Sequence, residues 1–202
     1  MGTSRALDNS GEPSADGCSA DPFDAIVLAA RHDDDAVTQL FVALHPKILR
    51  FLRSQEPRAA DDIAAEVWLA VARSISEFEG GWNEFRAWCF SIVRRRLADH
   101  RRTAARRRTD VVDQATLEGR AGASRPDDEA LDSLSGQAAA SMIVALLKPE
   151  QAEVLLLRVL GDLDAEQVGA LMGRSPNWVR VTQHRALRLL ADRLGTGQLV
   201  QP

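Results

Sequence analysis

Between Thr109 and Gln137 the chain changes character. The stretch carries Asp110, Asp113, Glu118, Asp127, Asp128, Glu129 and Asp132 against Arg120 and Arg125, a net of −5, with Gly, Ser and Pro and few large apolar residues. Such a composition buries too little apolar surface to offset the entropy of ordering its backbone, so it reads as a tether. A tether here divides the 202 residues into two parts, and a hydrophobic content of 45% is enough for compact cores. The predicted layout is a tail over 1–21, a first domain over 22–108, the acidic linker over 109–137, a second domain over 138–195 and a short tail over 196–202.

Both parts read as helical. "FDAIVLAAR" and "AVTQLFVALHPKILRFLRS" place apolar residues three and four apart. Asp33 to Asp35 can cap the second of these, and Pro46 is expected to bend it or start a new helix. After Pro57, "RAADDIAAEVWLAVARSI" is amphipathic, with Ile63, Val67, Ala70, Val71 and Ile75 forming an inward stripe. Gly80 and Gly81 interrupt the pattern, which resumes from Glu84 to Arg102. It returns from Ala138 to Leu194. No alternating β-type run and no internal repeat is present. The expected fold class is all-α, two small helical domains joined by a flexible acidic linker.

The clearest local signal is "LDAEQVGALMGRSPNWVRVTQHRALRLL". Asp164 can cap a short helix, with Gln167 at the return position of a capping box. Gly173 suits a left-handed helix stop. Ser175 and Pro176 are an N-cap and a first-turn proline. Two helices around a short Gly turn make a helix-turn-helix, whose second helix can lie in a DNA major groove. On that helix Val179, Thr182, Ala186 and Leu189 or Leu190 fall inward. Asn177, Arg180, Val181, His184 and Arg185 share another face, one that offers guanidinium forks for guanine or phosphate and an amide for adenine. The competing reading is a solvated amphipathic helix in a small bundle.

A second signal lies upstream. From Arg94 to Arg108, "RRRLADHRRTAARRR" holds eight Arg and one Asp, net +7. So basic a run is a candidate phosphate-binding surface, although cations also suit a helix C-terminus. Before it, Phe85, Trp88 and Ile92 have core spacing. Phe78 and Trp82 flank a Gly loop, where they can hold an unstacked base or, for Trp82, pack over the start of the next helix.

Other classes of function find little support. The formal net charge of −4 does not itself announce a nucleic-acid binder, so distribution matters more than the sum. Cys18 and Cys89 lie far apart and outside any CxxC, which argues against a disulfide framework or zinc site and fits a reducing cytosol. Residues 1–21 have no apolar segment of signal-peptide type, and no run is apolar enough to span a membrane. His32, His45, His100 and His184 are scattered, and no HExxH, Walker A or His/Cys cluster appears. No catalytic residue, metal ligand or cofactor is expected.

"AADDIAAEVWLAVARSI…FEGGWNEFRAWCFSIVRRRLADHRR", followed after the linker by "LLKPEQAEVLLLRVLGDLDAEQVGALMGRSPNWVRVTQHRAL", resembles the extracytoplasmic-function sigma factors of bacterial RNA polymerase. The resemblance covers roughly Phe23 to Leu194. It implies a region 2 domain that docks on core polymerase and opens the −10 element, and a region 4 domain that reads the −35 element. Asp61, Asp62 and Glu66, with Leu69 and Arg73 on the same helix, match the polymerase-docking segment, where Ala65 replaces the usual Gln. Phe78, Glu79, Gly80, Gly81, Trp82 and Asn83 match the loop that receives a flipped −10 base. Arg94, Asp99, His100 and Arg102 follow the family's −10 pattern, and Arg95 stands where Asn is common. Ser175, Asn177, Arg180, Val181, His184 and Arg185 are the implied −35 contacts, with Val181 and His184 off the family pattern.

The implied partners are the beta and beta-prime subunits of core RNA polymerase, promoter DNA and an anti-sigma factor, in the cytoplasm and with no membrane insertion. The acidic linker would suit a basic channel such as the polymerase's RNA path. A conventional helix-turn-helix regulator with an N-terminal interaction domain is the alternative. It accounts for the C-terminal half but leaves the aromatic loop and the Arg-rich helix unexplained.

Overall fold

The computed structural model describes residues 21–110 and 128–195. Eight α-helices and a 3₁₀ turn, Ile75–Glu77, make up the described residues, which contain no strand. The helices are α1 (Pro22–Ala29), α2 (Asp34–Gln55), α3 (Ala60–Ser74), α4 (Trp82–Asp110), α5 (Asp128–Leu146), α6 (Pro149–Val159), α7 (Ala165–Met172) and α8 (Pro176–Gly195). The all-α expectation holds.

Local chemistry explains several of the boundaries. Asp21 caps α1 by accepting from the Phe23 amide at 2.9 Å, and Asp24 reaches back to the Asp21 amide. Asp33 caps α2 as expected, 3.0 Å from the Asp35 amide. Pro46 neither bends α2 into two nor starts a new helix, for α2 is a single helix through it. Pro46 and Val42, four residues earlier, are both exposed. The carbonyl that proline leaves without an amide partner thus lies on the side that water reaches. Leu40, Leu44, Ile48, Phe51 and Leu52 bury the opposite face. The α3 stripe is buried at Ile63, Val67, Val71 and Ile75, with Ala70 half-buried.

Of the stretch read as linker, α5 takes up residues 128–137, and residues 111–127 lie outside the described residues. Helix α5 packs along α2, with Ala140 buried and Ile143 and Val144 against the main core. The two halves share apolar surface. One buried cluster runs from Val27 through Phe51 and Phe90 to Leu157, Val168 and Val179. A smaller cluster of Leu147, Ala152, Leu155 and Ala186 belongs to the C-terminal half. Domains this small bury only part of their apolar surface alone, and α5 with the α6–α7 turn finds the remainder on α2 and α4.

Candidate nucleic-acid interface

Helices α7 and α8 have the geometry expected of a helix-turn-helix. Asp164 accepts from the Glu166 and Gln167 amides, both at 2.8 Å, and Gln167 returns an acceptor to the Asp164 amide at 2.9 Å. Gly173 stops α7 in the left-handed region at φ 65°, which a side chain would strain. The Ser175 hydroxyl accepts from the Trp178 amide at 3.2 Å at the start of α8. Val179, Thr182 and Ala186 are buried, and Leu189 and Leu190 are half-buried. Ser175, Asn177, Arg180, Val181, His184 and Arg185 are exposed. The face drawn from helical spacing is therefore one continuous surface, free to meet a groove. Arg174 extends it, stacking 5.1 Å above the Trp178 ring and pairing with Glu150 at 3.2 Å.

The aromatic loop before α4 is built differently from its expected form. Trp82 is only 6% exposed. Its ring stacks on Phe23 at 4.6 Å and on Phe85 at 5.9 Å, and its amide donates to Asp24 Oδ1 at 2.7 Å. Trp82 is thus a core residue that packs over the start of α4, and it presents no ring face to a base. The glycines serve this packing. Gly80 has φ 138°, and a Cβ on Gly81 would sit 2.5 Å from the Asp24 carboxylate. Phe78 is half-buried against Phe85 and Trp88. Glu79 and Asn83 are the exposed side chains of the loop.

Along α4, Arg95 and Arg102 are exposed, and Arg94, Asp99 and His100 are half-buried. Arg102 pairs with Asp99. Arg94 is engaged by the C-terminal half: its Nε donates to Glu153 Oε1 at 2.7 Å and its Nη1 to the Leu171 carbonyl. A cleft of about 440 Å³ at this junction is lined by Arg94, Arg95, Arg101, Glu153 and Leu171. On α3, Asp61, Asp62, Glu66 and Arg73 are exposed, as is Leu69 at 55%. Asp61 pairs with Arg53 at 3.1 Å. Asp62 and Glu66 share a groove of about 600 Å³ with Asp99, His100 and Arg107, which puts these two acids of α3 next to the basic helix.

Two matches with known families fall on these surfaces. Residues 40–107 match Sigma-70 region 2, and residues 137–190 match Sigma-70, region 4. The chain is 36% identical over 172 residues to the ECF RNA polymerase sigma factor ShbA of Streptomyces griseus, covering 80% of this chain and 89% of that protein.

The chain belongs to the ECF sigma factors of RNA polymerase.

Similarity extends to the ECF sigma factor SigD of Mycobacterium tuberculosis, 29% identical over 179 residues and covering 85% of this chain and 84% of SigD. Two solved structures share the fold. CnrH, in complex with the cytosolic domain of CnrY, gives a TM-score of 0.57 at 17% identity, over 87% of this chain and 99% of that one. RpoE of Bartonella quintana, in complex with the anti-sigma factor NepR, gives 0.55 at 21% identity, over 78% and 96%. This sigma factor acts in transcription initiation, and its region 4 is a DNA-binding helix-turn-helix. A conventional regulator is not favoured, because region 2 accounts for the half that such a regulator leaves unexplained.

Sequence reasoning missed Arg86. This residue of α4 is buried, its guanidinium lying 5.6 Å from the Trp82 ring centroid and donating to Asn83 Oδ1 and to Asp162. Its Nε has no partner among the described residues. Burial of a charge needs partners, and Asp162 comes from the turn between α6 and α7. No spacing rule links positions so far apart in the chain. Cys89 is buried, which pushes its thiol well above the ordinary value and suits an inert core residue. Cys18 lies outside the described residues. No described helix is long and apolar enough to cross a membrane, and no described cluster of His, Cys, Asp and Glu is fit to hold a metal ion.

Proposed function

We propose that this sigma factor divides promoter recognition between its two halves. Helix α8 reads the −35 duplex through Ser175, Asn177, Arg180, Val181, His184 and Arg185. The loop residues Glu79 and Asn83 and the α4 face of Arg94, Arg95, Asp99, His100 and Arg102 take the −10 element. Phe78, Gly80, Gly81 and Trp82 shape that loop from within. Helix α3 docks on the beta and beta-prime subunits of core RNA polymerase through Asp61, Asp62, Glu66, Leu69 and Arg73. Polymerase performs the chemistry, so the chain is not itself an enzyme and needs no cofactor. It acts in the cytoplasm, and the anti-sigma factor NepR bound to RpoE favours such a partner here.

The observation that carries this reading is the sorting of α8: Val179, Thr182 and Ala186 are buried while Arg180, Val181, His184 and Arg185 stand exposed together. Run-off transcription with core polymerase across genomic promoter fragments is the test. Promoter-specific transcripts that require both the chain and core polymerase are expected. Specific duplex binding by the chain alone, with no specific transcripts, would overturn the reading.

A further inference from the structure

Helix α8 carries a residue whose place neither packing nor helix preference explains. Val181 is 39% exposed. Two positions along a helix turn the chain by about 200°, so Val181 lies almost opposite Val179, which is fully buried. Arg180 and Arg185 flank it, and Asn177 and His184 stand one turn to either side, all four of them exposed. Core packing does not hold a side chain there. Helix preference does not favour it either, since a β-branched residue loses χ1 freedom in a helix and forms one less readily than Ala. Val181 also belongs to no apolar patch. Leu187 and Leu194, the exposed leucines of the same helix, are turned away from it by roughly 120° or more. It is a single apolar group in the middle of a face of hydrogen-bond donors.

On the sigma reading this face enters the major groove of the −35 duplex, where each exposed side chain meets base edges and loses water. Of the groups that base pairs display in that groove, the thymine 5-methyl is the apolar one. The others are the N7, O6 and O4 acceptors and the N4 and N6 amino donors. Arginine or asparagine offsets the loss of water by hydrogen bonding. Valine cannot, so a polar edge placed against it is left unsatisfied. Against a methyl group the sign reverses, because two apolar surfaces leave water together. The valine is stiff as well. With χ1 held in one well, its methyls sit at fixed places relative to Arg180 and Arg185 and lose little freedom on contact.

Resting on the sigma reading, we infer that Val181 reads a 5-methyl group and so selects thymine at one position of the −35 element. The discrimination comes as much from the cost of a wrong base as from the gain of the right one. Its neighbours set the register. From Val181 to Arg185 the helix advances roughly 6 Å, just under two base steps of about 3.4 Å. The selected thymine therefore lies within about two base pairs of the guanine or phosphate that Arg185 takes.

The test uses promoters found by run-off transcription with the parent chain and core polymerase. On one such promoter each −35 thymine in turn is replaced by deoxyuridine, which removes the 5-methyl and alters no hydrogen-bonding group. Competition against the unmodified duplex then measures binding by holoenzyme that contains the parent chain or Val181→Ala. One replacement should weaken binding by the parent about fourfold, the equivalent of one buried methylene. Holoenzyme with Val181→Ala should be indifferent to the methyl at that position and keep its preferences elsewhere. Where cytosine replaces that thymine, 5-methylcytosine should recover part of the loss for the parent and none for the variant. Val181→Ala should unfold at the parent's temperature or slightly above it. Parent binding that no deoxyuridine alters overturns the inference. So does a methyl effect of equal size in the variant, a loss by the variant that is uniform across −35 sequences, or a clearly lower unfolding temperature, which would make Val181 a packing residue. The sigma reading is tested separately by the first step: specific transcripts keep it whatever the methyl does, and their absence removes it together with this inference.

Discussion

Helices α4 and α8 both present arginines in a pattern suited to DNA, yet the fold treats them in opposite ways. On α8, Arg180 and Arg185 are exposed beside His184 and Val181. On α4, Arg86 is buried and paired, and Arg94 is half-buried and held by Glu153 and Leu171. The same contrast separates the aromatics. Trp178 of α8 is half-buried and carries Arg174 on its face, whereas Trp82 of α4 is enclosed by Phe23 and Phe85. Residue types are alike in the two helices. What differs is whether a distant part of the chain returns to cover the face.

The largest expected effect tests that contrast at Trp82. Trp82→Ala should destabilise the fold by about 3–5 kcal/mol in urea unfolding, the range for large aromatic truncations in a core. A loss below about 1 kcal/mol, within the range of ordinary surface changes, would return Trp82 to the exposed class and restore a stacking role. Next is Arg180→Ala on α8, which should leave stability unchanged and cost about 1–3 kcal/mol of promoter binding at one −35 position. Equal loss across every −35 variant would make Arg180 a phosphate contact and weaken the distinction between reading and positioning arginines.

A smaller effect is expected on α3. Reversing Asp62 and Glu66 to Lys should weaken assembly with core polymerase, more at low salt than at high, because exposed charges are screened. Titration with labelled core enzyme at two salt concentrations measures it, and a folded double variant with unaltered affinity removes α3 from the docking surface. The smallest concerns His45, which stacks on Phe41 and accepts from Trp68 Nε1 through Nδ1 at 3.1 Å. Burial lowers its pKa, Asp61 opposes that shift and Arg53 adds to it. The unfolded chain then binds the proton more readily than the folded one, so stability rises with pH and is lost as pH falls below about 6.5. His45→Gln should flatten the thermal-midpoint profile between pH 7.5 and 5.5, and an unchanged slope would assign the pH dependence to other groups.

Much of the architecture was legible because it is written locally. The capping box of Asp164 and Gln167, the stop at Gly173 and the Ser175–Pro176 start each need only a few neighbours in sequence. The inward stripe of α3 and the inner face of α8 follow from a single period. The exposed face of α8 was legible for that reason. Trp82 was not, because Phe23 and Asp24, which bury it, lie on a helix nearly sixty positions upstream. Pro46 misled because packing of the opposite α2 face outweighs one lost hydrogen bond. Arg94 looks like any other member of the basic run, and Arg86 like a solvated arginine among aromatics, until Glu153 and Asp162 arrive from the far half.

The shared core has a thermodynamic consequence. When the halves part, apolar surface around Phe90 and Gly161 and along the α2–α5 seam meets water. Hydration of such surface raises the heat capacity, by about 0.45 cal/mol/K for each Å² of apolar area. The balance between closed and open forms is therefore curved in temperature, and the apolar part of the contact weakens on cooling. Calorimetry of the opening reaction should show a positive heat-capacity change. Cooling thus favours separation through the apolar seam, while the ion pairs between the halves respond to salt.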